Sequence, residues 1–425
     1  MSNNNYPDPV ENLDRQINLW AQLKTETGAA GVADKVAEIK ALVAEKLAEL
    51  RALPDDPALR QAEPDDLPGI RALRPDGERR YWTQLPRDTY RDRLEAAILG
   101  RFSGCVLGSI VECWEVDQMA RWAEYLGDAF PPTDYWSQAE RPQDLKYLTS
   151  PREDFTRAKM DGVPTDDDLI YTQLGLLILE DYGVDFSLAD VGAAWMKYLP
   201  HAATAEGIAL SNLHAGVPEG EAAVVDNPFI YWIGADIRSD PWGYAAPGYP
   251  EKAAEFAWRD ASISHRRNGI YGAMYFSAVI SAAFALGDPR QALEAGLAEI
   301  WALEVAPSIN TYREARDTVD QRYAGMHRIH TINNAVLTVW GLTIGGDDFS
   351  KVIGETVAMG LDNDCTAATA GSIFGAAYGK DAIPKHWTRN FNNKARSYII
   401  GIDAFAIDDM IDRFTAQAEQ AHAGG

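Results

Sequence analysis

Two glycine ladders constrain this chain more than any other feature. Gly100, Gly104 and Gly108 stand four residues apart, and Gly371, Gly375 and Gly379 repeat that spacing. Four residues is about one helical turn, so each set lines one face if its segment is helical. A glycine inside a helix costs about 0.8–1 kcal/mol against alanine. Several in register therefore need a compensating close approach, by a second backbone or by a ligand.

The surroundings of both ladders read as helix. From about Thr89 onward, helical patterns are expected over 89–112, 167–181, 250–265, 272–286, 289–305, 328–341, 348–359, 366–378 and 404–419. Val, Ile and Thr do not gather in alternating runs, so strands have little support. The expectation is an all-α chain with one large orthogonal helical domain over 89–425. Before it, residues 1–88 read as a helical extension with helices over 12–23 and 33–53. Val36, Ile39, Val43, Leu47 and Leu50 form one apolar stripe there, and the stretch Pro54-Asp55-Asp56-Pro57 stops the second helix.

Charge narrows the function. With 39 Lys plus Arg against 63 Asp plus Glu, the formal net charge is −24. Such an excess argues against sequence-independent nucleic-acid binding and against adhesion to anionic membranes. It leaves room for a small anionic ligand, because helix N-termini, a few arginines or bound cations can make a local positive site. Three cysteines, Cys105, Cys113 and Cys365, cannot build a disulfide framework, and no C-x-x-C suggests structural zinc. The first residues show no basic, apolar leader, and the apolar run 273–286 is shorter than a membrane span needs. A reduced, cytoplasmic protein is expected, with a homo-oligomer possible.

Two acidic clusters carry the chemistry. Thr165-Asp166-Asp167-Asp168 precedes the apolar run 169–179, and Asp362-Asn363-Asp364-Cys365-Thr366 precedes a small-residue helix. Each can be read as ordinary helix capping, since carboxylates favour a first helical turn. Three adjacent carboxylates repel one another, however, and capping needs only one or two. An EF-hand is excluded, because its sixth and twelfth positions here are Ala367 and Ile373. A shared site for a hard cation, Mg²⁺ or Mn²⁺, is the sharper reading.

Between about Arg91 and Trp387 the chain resembles the ADP-ribosylglycohydrolases. Gly100-Arg-Phe-Ser-Gly104-Cys105-Val-Leu-Gly108-Ser-Ile-Val-Glu112 is similar to their opening glycine ladder. Thr165-Asp166-Asp167 matches a T-D-D motif, Ser264-His265 a T/S-H segment, and Gly360-Leu-Asp362-Asn-Asp364-Cys365 a G-x-D-x-D-[TSC] motif. The resemblance implies two Mg²⁺ ions held by Thr165, Asp166, Asp167, Asp362, Asp364 and Cys365. It implies Glu112 and Asp167 as catalytic residues; Glu115 and Asp117 are close enough in sequence to rival Glu112. It implies hydrolysis of the bond between a ribose anomeric carbon and an acceptor nitrogen or oxygen, with an ADP-ribose conjugate or related ribosyl compound as partner. Substrate contacts are expected from Gly234, Asp236, Arg238, His265 and Gly269.

Two positions depart from the family pattern. Cys105 stands where Asp is frequent, and Cys365 stands where Thr is common. A thiolate is soft and matches Mg²⁺ poorly, so Thr366 is an alternative ligand. Arg238 is the candidate phosphate partner by its planar donor fork. His265 either binds phosphate or ribose or caps a helix. Tyr231, Trp232, Trp242 and Tyr244 either stack a base or fill the core. His327 and His330 invite a zinc reading, although no H-E-x-x-H accompanies them. Cleavage of a different ribosyl bond and a non-catalytic binding role remain alternatives.

Overall fold

A computed structural model describes residues 13–139, 152–300 and 309–423. Among the described residues it holds twenty α-helices and one two-stranded sheet, so the chain is all-α. It divides into two compact units, one containing the described residues 13–63 and the other those from Pro64 onward.

The smaller unit is a helical hairpin, Leu13–Glu26 and Val32–Arg51, turned through Gly28 and Gly31. Both glycines sit at φ 75°, a left-handed conformation that a side chain would strain. The apolar stripe of the longer helix stays largely in solvent. None of its residues is buried, and Val43, Leu47 and Leu50 are exposed.

Residues 64–86, the later part of the extension read from the sequence, group with the larger unit. The division falls at residue 63 because polar ties fix this segment to helices much later in the chain. Tyr271 Oη donates to Pro64 O at 2.6 Å, and Asp65 Oδ1 accepts from Arg267 N at 2.6 Å. Arg74 bridges Glu251 and the buried Glu299 at 2.6 and 2.7 Å.

The core of the larger unit is the seam between the two ladder helices, Arg87–Ser109 and Asn363–Tyr378. A Cβ added to Gly100 would lie 2.2 Å from Gly371 O, and one on Gly104 would lie 2.0 Å from Ala367 O. On Gly108 it would lie 2.4 Å from Asp364 Cα. The compensation for the ladders is thus backbone against backbone. Gly379 is different. It ends its helix at φ 80° and is a C-cap, not a rung.

Around this seam pack Asn268–Leu286, Thr331–Gly345 and Phe349–Ala358, each buried along most of its length. Asn268–Leu286 is 19 residues long, longer than the apolar run read from sequence. By length and composition it could cross a membrane, yet 89% of its apolar window is buried inside the protein, as a core helix requires. Residues 404–406, expected at a helix start, form a strand paired antiparallel with Lys394–Arg396. The helices Val116–Leu126, Leu188–Tyr198, Thr204–His214 and Tyr312–Arg322 go beyond those the periodicity predicts. Of the expected helix 289–305, the part Pro289–Gly296 is observed, and residues 301–308 lie outside the described residues.

Candidate active site

The first ladder helix ends at Ser109, three residues before Glu112. The chain then turns sharply. Cys113 takes φ 60° and donates its N–H to Leu361 O at 2.9 Å, and Leu361 is itself at φ 60°. This backbone bond joins the loop after one ladder helix to the loop before the other. Asp362 is the N-cap of the second ladder helix, and its N–H is held by Asn334 Oδ1 at 3.1 Å. As a result, carboxylate oxygens of Glu112, Asp362 and Asp364 lie within 4.8 Å of one another.

A second group forms at the start of Asp167–Tyr182, where oxygens of Asp166, Asp167 and Asp168 lie within 4.8 Å of one another. Asp166 is the N-cap, with Oδ1 accepting from Asp168 N at 3.2 Å. Its Oδ2 accepts from Ser109 Oγ at 2.8 Å and from Arg152 Nη1 at 3.3 Å. Ser109 thereby ties the end of the first ladder helix to the second acidic group. Thr165, half-buried, immediately precedes them.

The electrostatics favour a bound cation. Burial, then the charges of Asp166, Glu112 and Glu206, push Asp167 up to about 7. Burial, followed by Glu112, raises both Asp362 and Asp364 well above the usual carboxylate range. Burial, then Asp364 and Asp166, does the same to Asp168, against the opposing pull of Arg101. Glu112 is raised by burial and Asp166 and lowered by Arg152. The two groups are therefore close enough to act on each other's charge. Asp168 Oδ1 and Asp364 Oδ1 are buried with no hydrogen-bond partner, as is Thr366 Oγ1. Buried, unpartnered, anionic oxygens are costly unless a cation satisfies them, and hard oxygen donors suit Mg²⁺ or Mn²⁺.

Several expectations need revision. Cys365 is buried and does not join the carboxylate groups, and burial holds its thiol protonated. The Thr366 hydroxyl, the alternative ligand, is buried with no hydrogen-bond partner. Glu115 bridges Arg316 and Arg328 at 3.1 and 3.3 Å, and exposed Asp117 pairs with Arg313 at 3.0 Å, so neither rivals Glu112.

Arg238 is not presented to a ligand. It is buried and donates to Asp260 Oδ2 and Glu206 Oε1, both at 2.7 Å, and to Ser264 Oγ at 3.0 Å. Gly234 makes room for this network, since a Cβ there would lie 2.1 Å from Glu206 Oε1. His265 is buried beside it, with Nδ1 and Ser264 Oγ 2.8 Å apart and Nε2 unpartnered; burial and Arg238 keep it neutral. Gly269 packs against Ile230 O and the His265 ring. Asp236 is buried against Gly272 with neither carboxylate oxygen hydrogen-bonded.

Trp242 and Tyr244 are core residues. Trp232 is half-buried and stacks on His327 at 4.1 Å, while His330 caps the helix Thr331–Gly345. Among the described residues, neither histidine joins a metal-binding group.

Sequence reasoning missed Asp168 as more than a cap, and missed Ser109, Arg152 and Tyr398. Tyr398 follows the strand that pairs with Val163 in a parallel bridge, just before the Thr165-Asp166-Asp167 turn. Its ring packs on His201 at 4.6 Å, and burial and then Asp167 push its hydroxyl up. The third consecutive carboxylate was the one signal available for Asp168. The other three depend on contacts between distant segments.

The described residues thus define an all-α fold with two acidic groups at helix starts that could hold a metal ion. This chain belongs to the ADP-ribosylglycohydrolase family, whose model matches residues 86–422. A solved structure described as an ADP-ribosylglycohydrolase-related protein complex is similar at 19% identity with a TM-score of 0.52. The likeness covers 79% of this chain and 99% of that one, and at this identity it speaks for the fold alone. No curated protein matches the sequence. Family membership supports a glycohydrolase role.

Proposed function

We propose that this chain is a magnesium-dependent hydrolase that cleaves the ribosyl N- or O-glycosidic bond of an ADP-ribosylated substrate and releases ADP-ribose. The observation that carries this reading is the meeting of Glu112, Asp362 and Asp364 beside Asp166, Asp167 and Asp168, from three segments far apart in sequence.

Asp166, Asp167, Asp362 and Asp364, with Thr165 and Thr366, are the residues that would hold Mg²⁺, and two ions suit the two groups. When bound, such ions supply the positive charge that neutralises these carboxylates, grips ribose hydroxyls and makes water more acidic. The chain's own part is then specific. Glu112, half-buried, accepts a proton from the attacking water as its oxygen bonds to the anomeric carbon. Asp167, half-buried in the second group, accepts a hydrogen bond from a ribose hydroxyl and holds the sugar. As the bond to the acceptor breaks, its electron pair leaves with the acceptor, which takes up a proton that Glu112 can return, and the positive charge developing on the ribose is favoured by the surrounding carboxylates.

The inward-turned Arg238 favours a second reading, a ribosyl substrate without a diphosphate. Incubation with ADP-ribosyl-arginine, ADP-ribosyl-serine, O-acetyl-ADP-ribose and simple nucleosides, with Mg²⁺ or with chelator, separates the two. Mg²⁺-dependent release of ADP-ribose supports the first reading. Turnover of nucleosides alone supports the second.

A further inference from the structure

Six carboxylates carry more negative charge than two divalent ions offset, so an anionic ligand approaching them still needs a cation from the protein. Three buried or engaged arginines do not provide it. Arg101 is buried and committed to Thr172 Oγ1 at 2.8 Å, Asp240 Oδ2 at 2.5 Å, and the Asp168 and Ile237 carbonyls at 2.6 Å each. Arg238 is closed in by Glu206 and Asp260. Arg328 donates to Cys113 O at 2.7 Å and pairs with Glu115.

Arg152 is built differently. Its side chain is 41% exposed, where that of Asp166 beneath it is 2% exposed. Its hydrogen bonds to described residues both come from Nη1, to Asp166 Oδ2 and Ser109 O, and both are long at 3.3 Å. The guanidinium packs over Phe155, 5.1 Å from the ring centre, which fixes the position of the fork while leaving an edge toward solvent. Burial opposes its charge, and Asp166, Asp364 and Glu112 outweigh that, so it stands within electrostatic reach of both acidic groups. Asp166 Oδ2 also lies 2.8 Å from Ser109 Oγ, a hydroxyl it shares with Cys105 O.

We propose that Arg152 is the phosphate anchor of this site, binding a phosphate group of the substrate's diphosphate at the rim of the carboxylate groups. A planar fork whose Nε and Nη2 donate to none of the described residues matches phosphate oxygens in two places, which a lysine cannot do. The assignment rests on the ribosyl-hydrolase reading for its substrate, but the anion chemistry stands by itself.

The test uses the full chain at saturating Mg²⁺ and measures binding of ADP-ribose and ADP by calorimetry, with free ribose as the phosphate-free control. Arg152→Gln is expected to weaken ADP-ribose and ADP about tenfold to a hundredfold, the usual worth of hydrogen bonds to a charged group. Arg152→Lys is expected to recover part of this, and ribose binding to stay unchanged. With a conjugate substrate, KM rises in Arg152→Gln while kcat changes little. If Arg152 only neutralises Asp166, Arg152→Gln binds Mg²⁺ more tightly and both phosphate ligands as before. That result overturns the proposal, as does a wild-type chain that binds neither ADP-ribose nor ADP. Arg152-dependent ADP binding without hydrolysis of any conjugate keeps the anchor and removes the hydrolase reading. Turnover of conjugates with unchanged KM in Arg152→Gln does the reverse.

Discussion

Asp362 does three things at once: it ends a loop, caps a helix and faces Glu112. Replacing it with alanine leaves Asn334 bonded to the backbone and removes only the carboxylate. Asp362→Ala is therefore expected to fold, to lose turnover, and to lose the rise in melting temperature that Mg²⁺ gives the wild type. Thermal melts with and without chelator check this, and full activity of the variant in chelator would remove the cation from the mechanism. Glu112→Gln keeps the shape, but it loses the charge and cannot take a proton. A rate loss of about 10²–10⁴-fold with near-normal substrate binding is expected, measured as kcat against KM. At this scale the sequence is informative where residues are neighbours in a motif, as with Asp166 and Asp167 or Asp362 and Asp364. It is uninformative where a side chain's fate depends on burial. Arg238 has the chemistry of a phosphate ligand, and nothing local says that Glu206 and Asp260 will enclose it. Arg152 gives no local sign at all, because Asp166 and Ser109 reach it only in the folded chain.

Helices here are placed by what they cannot accommodate. Gly104 faces Ala367 O so closely that a methyl group would sit 2.0 Å from it. Backbone on both sides leaves little room to relax, so Gly104→Ala is expected to cost ~3 kcal/mol or more, read from a denaturation midpoint. A loss below about 1 kcal/mol would mean that the helices can separate freely. The ladders are visible in the sequence, but their partner is not. A helical period identifies a face and leaves open what lies against it. Element ends are missed for the same reason. The helical pattern of the first ladder extends to Glu112, yet the loop bond from Cys113 to Leu361 diverts the chain beforehand. The strand at Ala404–Ala406 exists through its pairing with Lys394–Arg396, which no alternating pattern announces.

Over the whole molecule, the concentrated negative charge ties stability to pH. Asp167 moves from an ordinary value of 3.8 to about 7 on folding without metal. A carboxyl raised in the folded state stabilises fully below about pH 4, and that contribution is lost as the pH climbs through about 7. Asp168, Asp362 and Asp364 shift in the same direction. Chelated protein is therefore expected to melt at progressively lower temperature from about pH 5 to about pH 8, with Mg²⁺ restoring more at the higher pH. A pH-independent midpoint in chelator would contradict the clustering of these acids. The all-α class is legible from the helical periods, whereas the boundary at residue 63 is not, because Pro64, Asp65 and Arg74 look like linker residues until their partners are known. The seam also has a consequence for alignment. Identical four-residue steps on both sides mean that the pair could mesh one notch along, with Gly104 opposite Gly371, and such a slide would carry Glu112 ~6 Å away from its aspartates. The correct notch is distinguished by fasteners beyond the glycines, the Cys113–Leu361 clasp and the Ser109–Asp166 tether, so damage to either would misalign the acidic groups in a protein that still looks folded.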